Sequence, residues 1–173
     1  AKEGSAAFFG TAMHTALQHL PLDGNLAPAG AAAYVSGLVE RGLLTEEQGE
    51  AARPELIGWF METELFSRMQ KSPRTERELA FGYEADAAAL FDTDAEERVL
   101  LQGVIDACFI EDGGWVLLDY KTDRVLPPDT PETVAARHAG QLRLYTAALS
   151  ALTGLPVKEQ WAVLLNGRVC VKL

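Results

Sequence analysis

Cysteine and long hydrophobic runs are scarce in this sequence. Its 173 residues include two cysteines, Cys108 and Cys170, which are too few for a four-cysteine zinc or iron–sulfur site. Both lie in apolar, strand-like segments, so we expect two reduced thiols in the core. No apolar stretch approaches the ~20 residues that span a bilayer, and we therefore expect no association with a membrane.

Basic side chains are outnumbered by acidic ones. The chain has 15 lysines and arginines against 25 aspartates and glutamates, which gives a formal net charge of −10. Such a charge argues against a protein that holds nucleic acid on a broad basic face. It does not exclude a metal-dependent site acting on phosphates, because such sites concentrate carboxylates.

The N-terminus lacks an initial methionine, and it lacks the basic and then apolar segments of a signal peptide. We therefore expect a piece of a larger protein or a processed form. The length suits one domain with a sizeable core, and we predict that residues 1–173 form a single domain.

The first part of this domain, residues 1–72, has the periodicity of helices. Apolar residues recur there every three or four positions, which is typical of helices with one buried face. The spacing predicts a helix through His14, a second helix over 31–41 and one unbroken helix over 54–69.

The second part, residues 73–173, changes to the two-residue period of β-strands. Apolar and polar residues alternate over 77–84, and longer apolar runs follow at 98–110 and 115–122. The Asp112–Gly113 turn between these two runs predicts a β-hairpin.

One long helix and a second hairpin are predicted after these strands. Thr130 has the character of an N-cap and Gly154 that of a C-terminal stop, so we expect a single helix between them. Two last strands flank an Asn166–Gly167 turn. The strand–helix–strand order favours a parallel crossover beside antiparallel hairpins. We therefore predict an α/β (α+β) fold in which helices flank a mixed central β-sheet, preceded by an N-terminal helical region.

Two carboxylates and an amine are expected to converge on the first hairpin. Asp106 lies six residues before the turn and Asp119 six residues after it, so the two should be near-opposite with Cβ atoms ~4.5–5.5 Å apart. Lys121 points to the same face as Asp119. An Asp–Lys pair alone would indicate only a solvated strand end, but Asp106 interrupts an apolar strand. Paired carboxylates suit a hard cation such as Mg²⁺ or Mn²⁺.

Four short motifs in a fixed order resemble those of RecB-type nuclease domains in the PD-(D/E)xK superfamily. They are G-x-x-x-H ending at His14, G-x-x-D ending at Asp106, D-x-K from Asp119 to Lys121, and Q-x-x-x-Y from Gln141 to Tyr145. Together they cover residues 10–145, and their common order carries the resemblance. It is greatest to the C-terminal nuclease domain of AddA, the helicase–nuclease component of AddAB complexes.

The resemblance implies a restriction-endonuclease-like core and a role for each motif residue. The implied metal ligands are His14, Asp106, Asp119 and the backbone carbonyl of Tyr120. The implied catalytic residues are Asp106, Asp119 and Lys121. Support of the site and of the DNA strand is implied for Gln141 and Tyr145.

The resemblance also implies a Mg²⁺- or Mn²⁺-dependent DNA exonuclease. Relatives that carry an iron–sulfur cluster use four cysteines, so no cluster is expected here. The implied partners are single-stranded DNA, ATP-dependent helicase domains N-terminal to this chain, and an AddB-like protein. These would act together in double-strand-break repair in the bacterial cytoplasm. Two alternatives stay open: an inactive nuclease-fold module that binds DNA or a partner, and a hydrolase of small phosphorylated molecules, which no glycine-rich phosphate loop supports.

Several other residues are weaker candidates. An acidic residue on the strand of Glu78 can approach the metal in the superfamily. Thr122 and Asp123 could support Lys121 or a phosphate, and His138 lies three residues before Gln141. Arg124 could meet a phosphate, although a lone arginine usually has no such specific role.

Overall fold

Helices dominate the N-terminal region, as the periodicity predicted. The computed structural model describes the backbone of residues 2–173 and the side chains of residues 4–173, so Ala1 of the predicted domain lies outside the described residues. Within this range a 3-10 turn at Pro28–Gly30 and the following helices precede the first strand: α1 (Lys2–Gln18), α2 (Ala31–Glu40), α3 (Glu46–Ala51), α4 (Pro54–Met61) and α5 (Glu64–Lys71).

The single helix predicted over 54–69 is wrong, because the chain breaks between α4 and α5. The Thr63 side chain accepts a hydrogen bond from the Phe66 backbone N–H (3.2 Å) and so caps the start of α5. Its hydroxyl also donates to the Phe60 carbonyl (2.6 Å), which satisfies the end of α4. One threonine therefore closes one helix and opens the next, and the break lets Phe60 and Phe66 meet in the core.

The second part of the chain forms a five-stranded sheet in sequential order. Its strands are β1 (Thr75–Asp86), β2 (Arg98–Glu111), β3 (Gly114–Lys121), β4 (Val157–Leu164) and β5 (Val169–Lys172). β3 pairs antiparallel with β2 and parallel with β4, so the predicted mixed sheet is confirmed. As the central strand, β3 is buried at every position before Lys121.

The single helix predicted after Thr130 is also wrong. The crossover contains α7 (Pro131–Ala136) and α8 (Ala139–Thr153), separated at Arg137 and His138. The two helices part because they pack on different strands: α7 on β4 and β5, and α8 on β1, β2 and β4. The predicted ends are confirmed, since Thr130 forms a capping box and Gly154 ends α8 in a left-handed conformation. A further short helix, α6 (Ala87–Leu90), lies between β1 and β2.

Hydrophobic clusters cover both faces of the sheet. On one face α1, α2, α4 and α5 pack against residues that include Ala107, Phe109 and Leu118. On the other face α8 packs against Cys108 and Leu117. Cys108 is buried and Cys170 is half-buried, and both are free thiols. No helix in the described part of the chain has the length and apolar character needed to cross a membrane.

Candidate metal centre and catalytic site

An imidazole and two carboxylates converge where α1 crosses the ends of β1 and β2. The ligand atoms of His14, Glu78 and Asp106 all lie within 4.8 Å of one another. His14 Nδ1 is 3.4 Å from Asp106 Oδ1. Two oxygen donors and one nitrogen donor at this spacing form a set that can hold a divalent cation.

Arg77 fixes the position of α1 over the sheet. Its guanidinium donates hydrogen bonds to the carbonyls of Leu17 and Leu20 at the C-terminal end of α1. A cation at this end also complements the helix dipole. Arg77 directly precedes Glu78 in β1, so one short segment both anchors the helix of His14 and supplies a carboxylate.

Glu78 marks a change in the alternation of side chains along β1. Its φ angle is +50°, in the left-handed region that non-glycine residues rarely occupy. On a regular strand Arg77 and Leu79 would share a face, yet Arg77 contacts α1 whereas Leu79 packs on the cluster of α8. The phase change therefore turns consecutive residues, Arg77 and Glu78, toward α1.

β2 changes phase at the position facing Glu78. Ile105 packs on the side of α8, and Ala107 packs on the side of α1, although two residues separate them. The residue between them is Asp106. Its carboxylate thus emerges where neither helix covers the strand completely, and it can contact residues from both sides.

Asp106 links the two halves of the site. The β2–β3 ladder ends at the pair Ala107 and Leu118, so Asp106 and Asp119 are the next residues on their strands, as the count from the turn predicted. Asp106 Oδ2 accepts a hydrogen bond from the Tyr120 backbone N–H (2.8 Å). The Tyr120 ring is buried and lies edge-on to His14.

Asp119 and Lys121 continue the site toward α8. The Asp119 side chain is 6% exposed, and Lys121 Nζ lies 2.9 Å from its Oδ2 atom. This Oδ2 atom is buried and has no hydrogen-bond partner among the described residues. An unsatisfied buried carboxylate oxygen is costly, and a bound cation would remove that cost.

A chain of hydrogen bonds connects Lys121 to α8. Lys121 Nζ donates to Gln141 Oε1 (2.9 Å), and Gln141 Nε2 donates to the Tyr145 hydroxyl (2.8 Å). Gln141 and Tyr145 are one helical turn apart, so both reach the end of β3 from one face of α8. The amine of Lys121 is thus held between Asp119 and Gln141.

The glycine of the G-x-x-D motif makes room for this chain. A Cβ atom at Gly103 would lie 3.0 Å from ring atoms of both Phe81 and Tyr145. These two rings pack edge-to-face with centroids 5.4 Å apart. A side chain at Gly103 would push Tyr145 away from Gln141, so the glycine serves the packing of the site and not a turn.

The pKa values of the carboxyl groups reflect crowding of negative charge. Burial, and then the charge of Asp106, raise the pKa of both Glu78 and Asp119. The hydrogen bond to Asp106 raises the pKa of His14. Burial opposes ionisation of Asp106, but its bonds to His14 and Tyr120 bring its pKa below the ordinary value. A cation placed among these groups would relieve their mutual repulsion.

A cavity of about 650 Å³ opens above this cluster. Its lining includes Gly10, Thr11, His14, Glu78, Asp106 and Thr122. Gly10, the glycine of the first motif, leaves space beside Thr122, since a Cβ atom there would meet only its hydroxyl at 3.9 Å. The cavity gives a substrate direct access to the cluster.

The structure brings together every site residue that the sequence singled out. His14 and Asp106 contact each other, and Asp119, Lys121, Gln141 and Tyr145 form the adjoining chain. The ligand roles of Asp119 and the Tyr120 carbonyl stay predictions, because the compact three-residue cluster of the described residues contains Glu78 instead. The phase of β1 did set Glu78 apart from its apolar neighbours, and this was the signal that the sequence offered.

His138 and Asp123 form a contact beside the site. His138 Nε2 lies 3.3 Å from Asp123 Oδ2 and is buried. Asp123 follows β3, and His138 stands at the start of α8. The contact therefore ties the segment after Lys121 to the helix that carries Gln141.

Comparison with known proteins agrees with this geometry. Residues 1–170 match the sequence profile of the PD-(D/E)XK nuclease superfamily. A Desulforudis audaxviator protein, named as the AddA component of an ATP-dependent helicase/nuclease, is 39% identical over 160 residues, which are 91% of this chain and 13% of that protein. Proteins of the same name from Heliobacterium modesticaldum (39% over 163 residues, 91% and 12%) and Lysinibacillus sphaericus (34% over 170 residues, 94% and 13%) are also similar.

The chain thus spans only about an eighth of the length of these relatives. The resemblance to AddA proteins indicated by the four motifs is confirmed, and so is the restriction-endonuclease-like fold with its mixed sheet and flanking helices. This chain belongs to the PD-(D/E)XK nuclease superfamily.

Proposed function

We propose that this chain is a divalent-metal-dependent nuclease that hydrolyses DNA phosphodiester bonds. The observation that carries the proposal is the convergence of His14, Glu78 and Asp106 within 4.8 Å, next to the ion pair of Asp119 and Lys121. A metal-binding cluster beside a held amine is what hydrolysis of a charged phosphodiester requires.

Mg²⁺ or Mn²⁺ is the proposed cofactor. Carboxylate oxygens suit both ions, and an imidazole ligand is compatible with Mn²⁺. The proposed ligands are His14, Asp106, Asp119 and the Tyr120 carbonyl, with Glu78 as a further carboxylate. The unpartnered Oδ2 atom of Asp119 supports its inclusion.

The protein side chains have separate parts in the proposed reaction. When bound, the metal ion supplies Lewis-acid polarisation of the phosphate and makes water more acidic. Lys121, held by Asp119 and Gln141, orients the attacking water and offsets the negative charge that develops on the phosphate. His14 holds Asp106 in place from α1. Tyr145 fixes Gln141, and through it the amine of Lys121.

The larger protein is proposed to be an ATP-dependent helicase–nuclease. The names of the relatives and the small share of their length that the chain covers support this proposal. The chain would then act as an exonuclease on single-stranded DNA leaving the motor, with an AddB-like partner, during recombinational repair of double-strand breaks in the bacterial cytoplasm. The net charge of −10 fits a module that cuts DNA held mainly by other domains.

An inactive module that binds only DNA or a partner is the less favoured alternative. Loss of activity is usually accompanied by loss of reacting groups, yet Asp106, Asp119 and Lys121 are present and held by specific contacts. A hydrolase of small phosphorylated molecules has no phosphate loop to support it.

The proposal is tested by incubating the chain with linear single-stranded DNA and Mg²⁺ or Mn²⁺. Asp119→Ala and Lys121→Ala should each slow cleavage by about 10²–10³-fold, since each removes a group that stabilises the transition state. Lys71→Ala, at an exposed position of α5, is the matched control and should cleave like the parent. Absence of cleavage by the parent with either ion would favour the inactive module.

A further inference from the structure

A second cavity adjoins the metal-site cavity on the far side of Thr122. It has a volume of about 530 Å³, and its lining includes Ser5, Arg53, Arg124 and Asn166. Ala6 and Thr122 line both cavities, so the two are continuous. A strand bound at the first cavity would therefore extend into the second.

The two cavities differ in charge. The metal-site cavity contains the carboxylates of Glu78 and Asp106. The described lining of the second cavity contains two arginines, Arg53 and Arg124, and no carboxylate. This local excess of positive charge is unusual in a chain with a net charge of −10.

Arg124 is the cation most available to a ligand. Its side chain is exposed, and it forms no ion pair or side-chain hydrogen bond with the described residues. Arg53 is partly engaged, because its Nε donates to Glu55 Oε1 (2.8 Å) and its Nη1 donates to Asn166 Oδ1 (3.0 Å). The other guanidinium N–H groups of Arg53 are not used in these bonds.

Asn166 ties the walls of this cavity together. Its Nδ2 donates to the Thr122 carbonyl (2.6 Å), while its Oδ1 accepts from Arg53. This links three places in the fold: the N-cap of α4, the end of β3 and the turn before β5. The cavity is therefore held at a fixed position relative to Lys121, which directly precedes Thr122.

We propose that this second cavity binds a backbone phosphate of the DNA strand, adjacent to the phosphate held at the metal centre. The inference rests on the proposed nuclease function and adds a substrate subsite to it. A guanidinium offers paired N–H donors that match phosphate oxygens, and the Thr122 hydroxyl adds another donor. The carboxylates of the metal cavity repel neighbouring phosphates, so a cation is needed where the strand leaves that cavity.

The test measures binding of a dye-labelled single-stranded oligonucleotide by fluorescence anisotropy, with Ca²⁺ in place of Mg²⁺. Arg124→Gln should weaken binding by about three- to tenfold. The slope of log K against log salt concentration should fall in magnitude by about 0.7, the value for one phosphate contact on a single strand. Arg41→Gln is the matched control, because Arg41 is exposed and lines neither cavity.

A modified substrate identifies the phosphate itself. Replacing one phosphate next to the scissile bond by a neutral methylphosphonate should weaken binding to the parent but not further weaken binding to Arg124→Gln. The two neighbouring positions are tested separately, and one of them should show this loss of additivity. Thermal unfolding of both arginine variants checks that the fold is unchanged.

The outcomes separate this inference from the proposed function. Equal affinity and equal salt slope in Arg124→Gln, Arg41→Gln and the parent would overturn the subsite, and so would no measurable binding by the parent at low salt. Cleavage that depends on Asp119 and Lys121 would leave the proposed function standing in either case. A loss confined to Arg124→Gln supports the subsite even if cleavage fails.

Discussion

Glu78 keeps a backbone conformation that its side chain disfavours. A left-handed φ costs a non-glycine residue about 1–2 kcal/mol, because Cβ approaches the following carbonyl oxygen. Such strain persists where the surrounding structure determines it, and it often accompanies function. Here the strain accompanies the phase change that brings the Glu78 carboxylate to His14 and Asp106.

Two substitutions at this position separate strain from ligand function. Glu78→Ala and Glu78→Gly remove the same carboxylate, but glycine accepts the positive φ without strain. After glycine's extra chain entropy in the unfolded state is allowed for, Glu78→Gly should be the more stable by about 0.5–1 kcal/mol. Urea denaturation without metal measures this difference.

Calorimetric titration with Mn²⁺ completes this test. Both variants should bind Mn²⁺ about tenfold or more weakly than the parent, since both lose one proposed ligand. Equal stability of the two variants would show that the backbone at this position is not strained. Parent-like Mn²⁺ affinity in both would exclude Glu78 as a ligand.

Most site residues, but not all, could be predicted from the sequence. His14, Asp106, Asp119 and Lys121 stand in motifs whose spacing survives without any knowledge of the fold. Glu78 could only be suspected, because its approach depends on a left-handed backbone at a residue that is not glycine. No local signal in the sequence announces such a conformation.

At the scale of elements, the packing of α8 on β1 and β2 sets the geometry of Lys121. The aromatic pair of Phe81 and Tyr145 fills the space above Gly103, and Tyr145 then holds Gln141 against the amine. The distance between helix and strand at this point is therefore part of the catalytic arrangement.

A methyl group at Gly103 should disturb this arrangement. Gly103→Ala is expected to destabilise the fold by about 1–3 kcal/mol, because the added Cβ would lie 3.0 Å from both aromatic rings. Cleavage should fall as Tyr145 shifts. Unfolding in urea and the rate of DNA cleavage below the unfolding range are the two measurements.

The matched control for Gly103→Ala is Gly82→Ala. Gly82 is exposed on β1, and a Cβ atom there would have no neighbour within 4 Å. This variant should be as stable and as active as the parent. A Gly103→Ala protein that also behaved like the parent would contradict the close-packing role of this glycine.

Helix ends were predictable where their signals are local, and helix breaks were not. Thr130 and Gly154 act through their immediate neighbours, so their roles could be read from the sequence. The break at His138 coincides with a contact to Asp123 in another segment, and continuous helical periodicity on both sides conceals it. Thr63 caps α5 without the Glu or Gln three residues later that would have revealed it.

Across the whole molecule, a network around Arg68 joins the helical region to the sheet. Arg68 of α5 pairs with Glu111 of β2 and Glu159 of β4, each at 2.7 Å. Burial alone would raise the pKa of Glu159. Hydrogen bonds from Trp161, Arg68 and Lys172 nevertheless lower the pKa to about 2. The network stabilises the fold as long as the carboxylate is ionised.

The stability of the protein should therefore fall in acid, and Glu159→Gln should weaken that fall. A carboxylate with a lowered pKa contributes its stability above its unfolded pKa of 4.5 and loses it as the pH drops toward 2. Unfolding free energies from urea titrations at a series of pH values should decline less steeply for Glu159→Gln below about pH 4.5. At neutral pH the variant should be less stable than the parent.

Glu62→Gln serves as the control, because Glu62 is exposed and has no ion pair with the described residues. Its pH curve should parallel that of the parent. Identical slopes for the parent and Glu159→Gln would mean that the network does not determine acid stability. The order of helical and strand patterns predicted the mixed sheet, whereas this network joins side chains far apart in sequence and was not foreseen.

The order in which the chain is synthesised has a consequence for when the site exists. His14 is made early, Tyr145 more than a hundred residues later, and β4, which buries β3 from its second side, later still. Contacts between such distant segments form only after the intervening loops close. A growing chain on the ribosome therefore has no assembled site, and the proposed cutting activity begins only when the whole domain has folded.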